Sequence, residues 1–129
     1  MKIKIIRLIK RKDPRGWLIE NNNRLIKESM RHFLISSSKP GVVRGQHYHS
    51  RKREWFLVLK GKAKIVCKAL GSNDIKEIYM SEERPEMVEI PPMIAHAIEN
   101  IGDNEMFLFA VVNESLDRRV PDPFPHRVI

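Results

Sequence analysis

Cysteine occurs once, at Cys67. A lone thiol rules out an internal disulfide and fits a reducing compartment, so a cytoplasmic location and a buried structural thiol are expected. No apolar run approaches the ~18 residues of a membrane-spanning helix. The opening MKIKIIRLIKRKD alternates charges with isoleucines, unlike the continuous apolar segment of a secretion signal. We therefore expect neither a leader nor a membrane partner. Helical periodicity is nearly absent too, and the one stretch offering it, Ser81 to Glu86, is short and interrupted by Pro85. Internal repeats and low-complexity segments are missing. Zinc-finger spacing, an aromatic RNA-binding signature and a helix-turn-helix pattern are absent as well. Nucleic acid is therefore not an expected partner, despite a sequence pI of 9.9.

What is present is a series of short alternating or apolar segments separated by turn residues. Residues 2–9, 17–19, 31–35, 43–49, 54–60, 62–69, 75–80, 87–90, 95–100 and 106–112 read as strands. Asp13-Pro14-Arg15-Gly16, Asn21-Asn22-Asn23, Lys39-Pro40-Gly41 and Gly71-Ser72-Asn73-Asp74 read as turns. Gly102-Asp103-Asn104 reads as a hairpin turn. Residues 62–69 put Ala63, Ile65, Cys67 and Ala69 on one face and Lys62, Lys64 and Lys68 on the other, with Val66 the exception. The proline-rich tail from Pro121 to Pro125 is barred from a central strand. Met80, Met87, Met93 and Met106 read as gap-fillers in a core. One all-β domain over residues 1–129, a sandwich or small barrel, is the expectation.

The net charge of +8 is unevenly spread. Residues 39–68 carry nine Lys and Arg against Glu54 alone, whereas residues 72–105 carry nine Asp and Glu against two basic side chains. The basic stretch surrounds a histidine motif, which points to an anionic ligand there.

That motif lies in Gly41 to Gly61, GVVRGQHYHSRKREWFLVLKG. On a strand, side chains alternate faces, so His47 and His49 point one way and Tyr48 the other. Ser50 to Arg53 read as the turn of a hairpin whose second strand opens with Glu54. Two imidazoles and a carboxylate on one wall can hold a divalent cation. Further on, Ile90-Pro91-Pro92-Met93-Ile94-Ala95-His96 ends one strand and begins another with a histidine in it.

The spacing at Gly41, His47, His49, Glu54 and Gly61 resembles the first motif of the cupins throughout. Pro91, His96 and Asn100 match the second motif, in which Pro85 and Met93 replace two glycines. With Met at that position, a turn without positive φ is expected. Two further segments narrow the resemblance. Asp13-x-Arg15-Gly16 and Arg44-Gly45-Gln46-His47 are similar to motifs of the dTDP-4-dehydrorhamnose 3,5-epimerases and the dTDP-sugar 3,4-ketoisomerases. Residues 36–61, with Val88 to Pro92 and Ile98 to Gly102, resemble the C-terminal cupin domain of capsular polysaccharide synthesis enzymes, which precede it with a reductase domain.

The resemblance implies a double-stranded β-helix, or jelly roll. It also implies a nucleotide-sugar epimerase or ketoisomerase that abstracts a proton α to the ketone of a UDP- or dTDP-linked 4-keto-6-deoxy sugar, in surface polysaccharide synthesis. By resemblance, Arg15, Arg44 and Lys52 would contact the substrate, Arg15 by reaching a neighbouring subunit in a homodimer. Trp17 either stacks on the base or packs as an ordinary core or edge tryptophan. His47 has two implied roles. In the rhamnose epimerases the matching histidine is the catalytic base of a metal-free site, oriented by an aspartate that this sequence does not reveal. In the capsular cupins, the positions of His47, His49, Glu54 and His96 form a metal site, with zinc the expected ion. If His47 is a ligand, the base is another group, and His32, Tyr79, Glu89 and His126 are available by type. His126, in the tail, is expected to be exposed. A metal-dependent cupin oxygenase and a non-catalytic sugar-nucleotide binder remain open alternatives.

Overall fold

The computed structural model describes residues 1–129. In chain order its elements are β1 (Lys4–Arg7), β2 (Arg11–Asp13), β3 (Gly16–Leu18), α1 (Arg24–Ser29), β4 (His32–Ser38), β5 (Val43–Tyr48), β6 (Glu54–Lys60), β7 (Lys62–Ala69), β8 (Ile75–Ser81), β9 (Glu86–Ile90), β10 (Ile94–Asn100), β11 (Met106–Val112) and β12 (Phe124–Pro125). Two five-stranded sheets face each other. The first runs β1-β9-β6-β11-β4 and the second β12-β5-β10-β7-β8. All pairings in them are antiparallel, giving the expected jelly roll. The β2–β3 hairpin pairs with neither sheet and forms an exposed arm.

The alternating pattern of β7 buries Ala63, Ile65 and Cys67 against Phe56, Val58 and Leu108 of the opposite sheet. Burial drives the Cys67 thiol up to about 12, so it is an inert apolar filler. Val66 is also buried. Met80, Met87 and Met106 fill the interior as expected, but Met93 is 48% exposed.

The strand of the two histidines and the strand of Glu54 are not a hairpin. β5 pairs with β10 and β12, whereas β6 pairs with β9 and β11. Residues 50–53 therefore cross from one sheet to the other. The reason is the burial of β6: Phe56 and Val58 face the interior, while Trp55 and Leu57 pack outward under α1. A strand apolar on both faces takes a central place in its sheet, a demand that local turn chemistry does not report. Gly102 to Asn104 likewise links β10 to β11 in opposite sheets and is not a hairpin turn.

Ser81 to Glu86 forms a turn, not a helix. The helix lies at Arg24–Ser29, where Asn23 caps it by accepting the Ile26 N–H at 3.2 Å. Six residues are too few for a periodic signal, and the asparagine run that read as a turn is the helix start. Ile26 anchors the helix on Trp55, Leu57, Met87 and Val111. The tail ends as expected, with β12 on the edge of the second sheet beside β5.

Candidate metal centre

His47 on β5 and His96 on β10 are direct cross-strand partners, so their side chains leave the sheet on the same, inner face. His49, two positions after His47, shares that face. Tyr48 points away and stacks on Phe124 at 5.2 Å. Glu54 opens β6 in the opposite sheet and reaches the histidines across the interior. Its Oε1 lies 3.0 Å from His49 Nε2 and 3.2 Å from His96 Nε2. The His47 ring stands 4.9 Å from that of His49 and 5.0 Å from that of His96, while Phe56 lies 5.7 Å from His96. One donor atom from each of His47, His49, Glu54 and His96 falls within 4.8 Å of the other three.

The tautomers follow from the outer hydrogen bonds. His49 Nδ1 donates to the Asp122 carbonyl, and His96 Nδ1 donates to the Ile94 carbonyl at 3.0 Å. Each neutral ring then turns an unprotonated Nε2 towards Glu54. Three lone-pair atoms, His49 Nε2, His96 Nε2 and Glu54 Oε1, are thus buried without a hydrogen-bond partner and aimed at one another. Such a set repels itself unless a proton or a cation sits among it. Ring N–H bonds to backbone carbonyls behind the donors are the usual support of metal-ligating histidines. On these grounds the residues fit a divalent cation.

The electrostatics agree. Burial, with His96 and His49 close by, lowers His47 to about 4, so its ring is neutral at physiological pH. Burial works against the charged forms of Glu54 and His49, but their close approach at 3.0 Å, which favours opposite charges, outweighs it. Glu54 is held at about 2, aided by His96, and His49 is raised.

A residue that the sequence did not single out builds the loop between the two ligand strands. Asp122, in the tail, is fully buried. Its carboxylate accepts from Ser50 N at 2.8 Å, Ser50 Oγ at 2.5 Å, Arg51 N at 3.0 Å and Lys52 N at 3.2 Å. Although burial opposes ionisation, these donors hold its carboxyl well below the usual carboxylate range. Asp122 therefore shapes the loop with its side chain and orients His49 with its backbone. Its position some 70 residues downstream, among prolines, carries no local signal.

Arg44 reaches the same inner face through a β-bulge. The register steps from His96–His47 to Ala97–Gly45 and leaves Gln46 unpaired. Without that extra residue Arg44, three positions from His47, would point the opposite way. Gly45 permits the bulge: its φ is +92°, and a Cβ there would lie 3.0 Å from the His96 carbonyl oxygen. Gln46, at φ +57°, accepts from Val128 N at 2.7 Å and so ties down the tail. The Arg44 guanidinium spans to β4, donating to Ser38 Oγ at 2.9 Å and to the Ser37 carbonyl at 2.8 Å. Met93, expected to avoid positive φ, adopts φ +68°. Its N–H donates to the His49 carbonyl at 2.7 Å, a bond that holds the turn before His96 against the ligand strand.

Other sequence candidates lie elsewhere. Arg15 sits on the exposed arm, paired to Asp13 at 2.6 Å. Trp17, on the same arm, is 52% exposed beneath Lys10. Lys52 is buried, with its N–H given to Asp122. His126 is half-buried against Tyr48, not exposed, because β12 pins it beside β5. Clefts of about 550 and 400 Å³ open along the N-terminal segment and the arm, and an apolar one of about 300 Å³ opens on the outer face of the first sheet. The four donors line none of them. Arg44 and the donors on β5 and β10 share one face of the second sheet.

Comparison with known proteins bears on these features. Residues 11–124 match the family described as polysaccharide biosynthesis C-terminal domain. Over 112 residues the chain is 37% identical to the UDP-2-acetamido-2,6-beta-L-arabino-hexul-4-ose reductase of Pseudomonas aeruginosa, covering 87% of this chain and 29% of that protein. The fold superposes on the capsular polysaccharide assembling protein CapF of Staphylococcus aureus with a TM-score of 0.74 and 35% identity, over 94% of this chain and 34% of that one. It also superposes, at 18% identity and a TM-score of 0.79, on QdtA, a sugar 3,4-ketoisomerase from Thermoanaerobacterium thermosaccharolyticum in complex with TDP, covering 95% of this chain and 86% of that one. The chain thus spans about a third of the first two proteins and most of the third. With nearly its whole length matched and the jelly roll in place, it belongs to the polysaccharide biosynthesis C-terminal domain family of cupins.

Proposed function

We propose that this protein is an epimerase or ketoisomerase of a UDP- or dTDP-linked 4-keto-6-deoxy sugar, acting in surface polysaccharide synthesis with a divalent cation, zinc first among candidates. The observation that carries the reading is the shared face: His47, His49, Glu54 and His96 converge, and a bulge turns Arg44 towards the same opening. The likeness to a reductase of a UDP-hexulose and to a ketoisomerase that binds TDP supports it.

Hydrogens on the carbons flanking a ketone are acidic because the charge left behind moves to the ketone oxygen. The reaction therefore needs a base, a stabiliser for that oxygen and an acid. A cation held by the three histidines and Glu54 supplies Lewis-acid stabilisation of the oxygen when bound. Arg44 suits the diphosphate, because its planar fork offers paired donors to phosphate oxygens. The Lys52 backbone is fixed by Asp122 in the loop that joins the two ligand strands. Phe56 closes the apolar side of the site.

The proposal includes a homodimer. The outer face of β4 exposes Phe33 (59%) and Ile35 (62%) along an unpaired strand edge. The free arm carries Arg15 and Trp17 outward, as contacts to a second copy would require.

The test is incubation with UDP- and dTDP-4-keto-6-deoxyglucose in D₂O, with metal content measured on the same sample. Deuterium at C3 or C5 supports the reading. Tight binding without exchange would make the protein a non-catalytic binder, and oxygen consumption with bound iron would make it an oxygenase.

A further inference from the structure

Only four buried side-chain polar atoms lack a hydrogen-bond partner: His49 Nε2, Glu54 Oε1, His96 Nε2 and His32 Nδ1. The first three are accounted for by the donor set. The fourth is not, and an unpaired buried nitrogen is costly enough to call for a reason.

Strand register locates it. His32 opens β4 and pairs with Val112 of β11, which pairs in turn with Glu54 of β6. Directly opposed residues project from the same face, so His32, Val112 and Glu54 form one row on the inner face. The alternation of β4 agrees: His32, Leu34, Ser36 and Ser38 are sheltered, while Phe33, Ile35 and Ser37 are exposed. Two strand spacings of about 4.8 Å separate the His32 backbone from that of Glu54, roughly 10 Å in all. His32 thus stands on the wall formed by β4, opposite the wall of β5 that carries Arg44 and His47.

No other titratable group offered by the sequence as a base has this placement. Tyr79 is exposed on the far side of the second sheet, bonded to Glu77 at 3.0 Å. Glu89 faces outward, taken up by Trp55 Nε1 at 2.8 Å and Arg53 at 2.9 Å. His126 lies against Tyr48, on the side of β5 away from His47.

We propose that His32 is the proton-transferring residue for a sugar bound between β4 and β5, a role that rests on the functional reading above. Its unpaired Nδ1 takes the proton from the carbon next to the ketone. The C–H electron pair becomes the second bond of an enolate, and the carbonyl pair moves to the ketone oxygen. The proton resides on the imidazole until it exchanges with water or returns to carbon. This division of labour resolves the double role of His47, which is then free to act as a ligand.

The test uses the full chain loaded with zinc and offered dTDP- and UDP-4-keto-6-deoxyglucose in D₂O. His32→Gln is expected to slow deuterium incorporation by about 100-fold or more, the usual loss of a general base. Zinc stoichiometry, nucleotide affinity and melting temperature should stay unchanged. His32→Ala should regain part of its exchange rate when imidazole is added. Exchange by the wild type with His32→Gln within about threefold of it would overturn the assignment while leaving the functional reading intact. Loss of zinc from His32→Gln would also overturn it, making His32 a support of the donor set. No exchange by the wild type on either ketone would remove the functional reading itself, and this assignment with it.

Discussion

Replacing Asp122 with alanine should loosen the loop between the ligand strands and weaken the metal centre at once. The carboxylate accepts four hydrogen bonds from Ser50, Arg51 and Lys52. Bonds to a charged acceptor are worth about 1.5–3 kcal/mol each and do not add fully. After the loop relaxes towards water, a net loss of about 3 kcal/mol is expected. At roughly 4 °C per kcal/mol for a chain of this size, the metal-free melting temperature should fall by about 12 °C. The affinity for zinc, read by competition with a chromophoric chelator, should fall about 10- to 100-fold, as when the support behind a metal ligand is disturbed. The pH dependence has a definite sign. Because the folded carboxyl titrates below its unfolded value, its contribution is complete above about pH 4 and is lost as the pH falls through the lower, folded value. The stability difference between wild type and variant, read by urea titration, should therefore shrink on acidification. A loss below about 0.5 kcal/mol with unchanged zinc affinity would mean that Asp122 does not hold the loop.

Three other perturbations have definite outcomes. Gly45→Ala forces a side chain into a +92° φ with a carbonyl oxygen at 3.0 Å, so urea unfolding should show a loss of about 2–3 kcal/mol, with reduced zinc binding. Arg44→Ala should weaken UDP and dTDP binding about 10- to 100-fold by calorimetry, the worth of charge-assisted bonds, with zinc stoichiometry intact. Phe33→Lys combined with Ile35→Lys should convert a dimer to a monomer in sedimentation velocity, since both side chains face outward on the β4 edge.

The sequence made most strands legible, because alternation at β7 and apolar runs at β6 and β11 follow directly from which faces are buried. It also put His47 and His49 on one face, since that needs only the two-residue period of a strand. Pairing was harder to read. The link from His49 to Glu54 looks like a hairpin turn, but the double-sided burial of β6 sends it to the other sheet. Backbone irregularity was harder still. Neither the Gln46 bulge nor the positive φ of Met93 is signalled by residue type, because tertiary contacts impose both. Asp122 was invisible because its role depends on the tail folding back over the loop. The helix escaped notice because a single cap and one buried side chain, Ile26, define it.

The most direct test is a zinc-loaded crystal structure with anomalous data collected at the zinc edge. One strong peak per chain is expected, about 2.0–2.2 Å from a nitrogen of each of His47, His49 and His96 and from an oxygen of Glu54. A peak elsewhere, or zinc failing to bind while the four side chains keep their places, would contradict it.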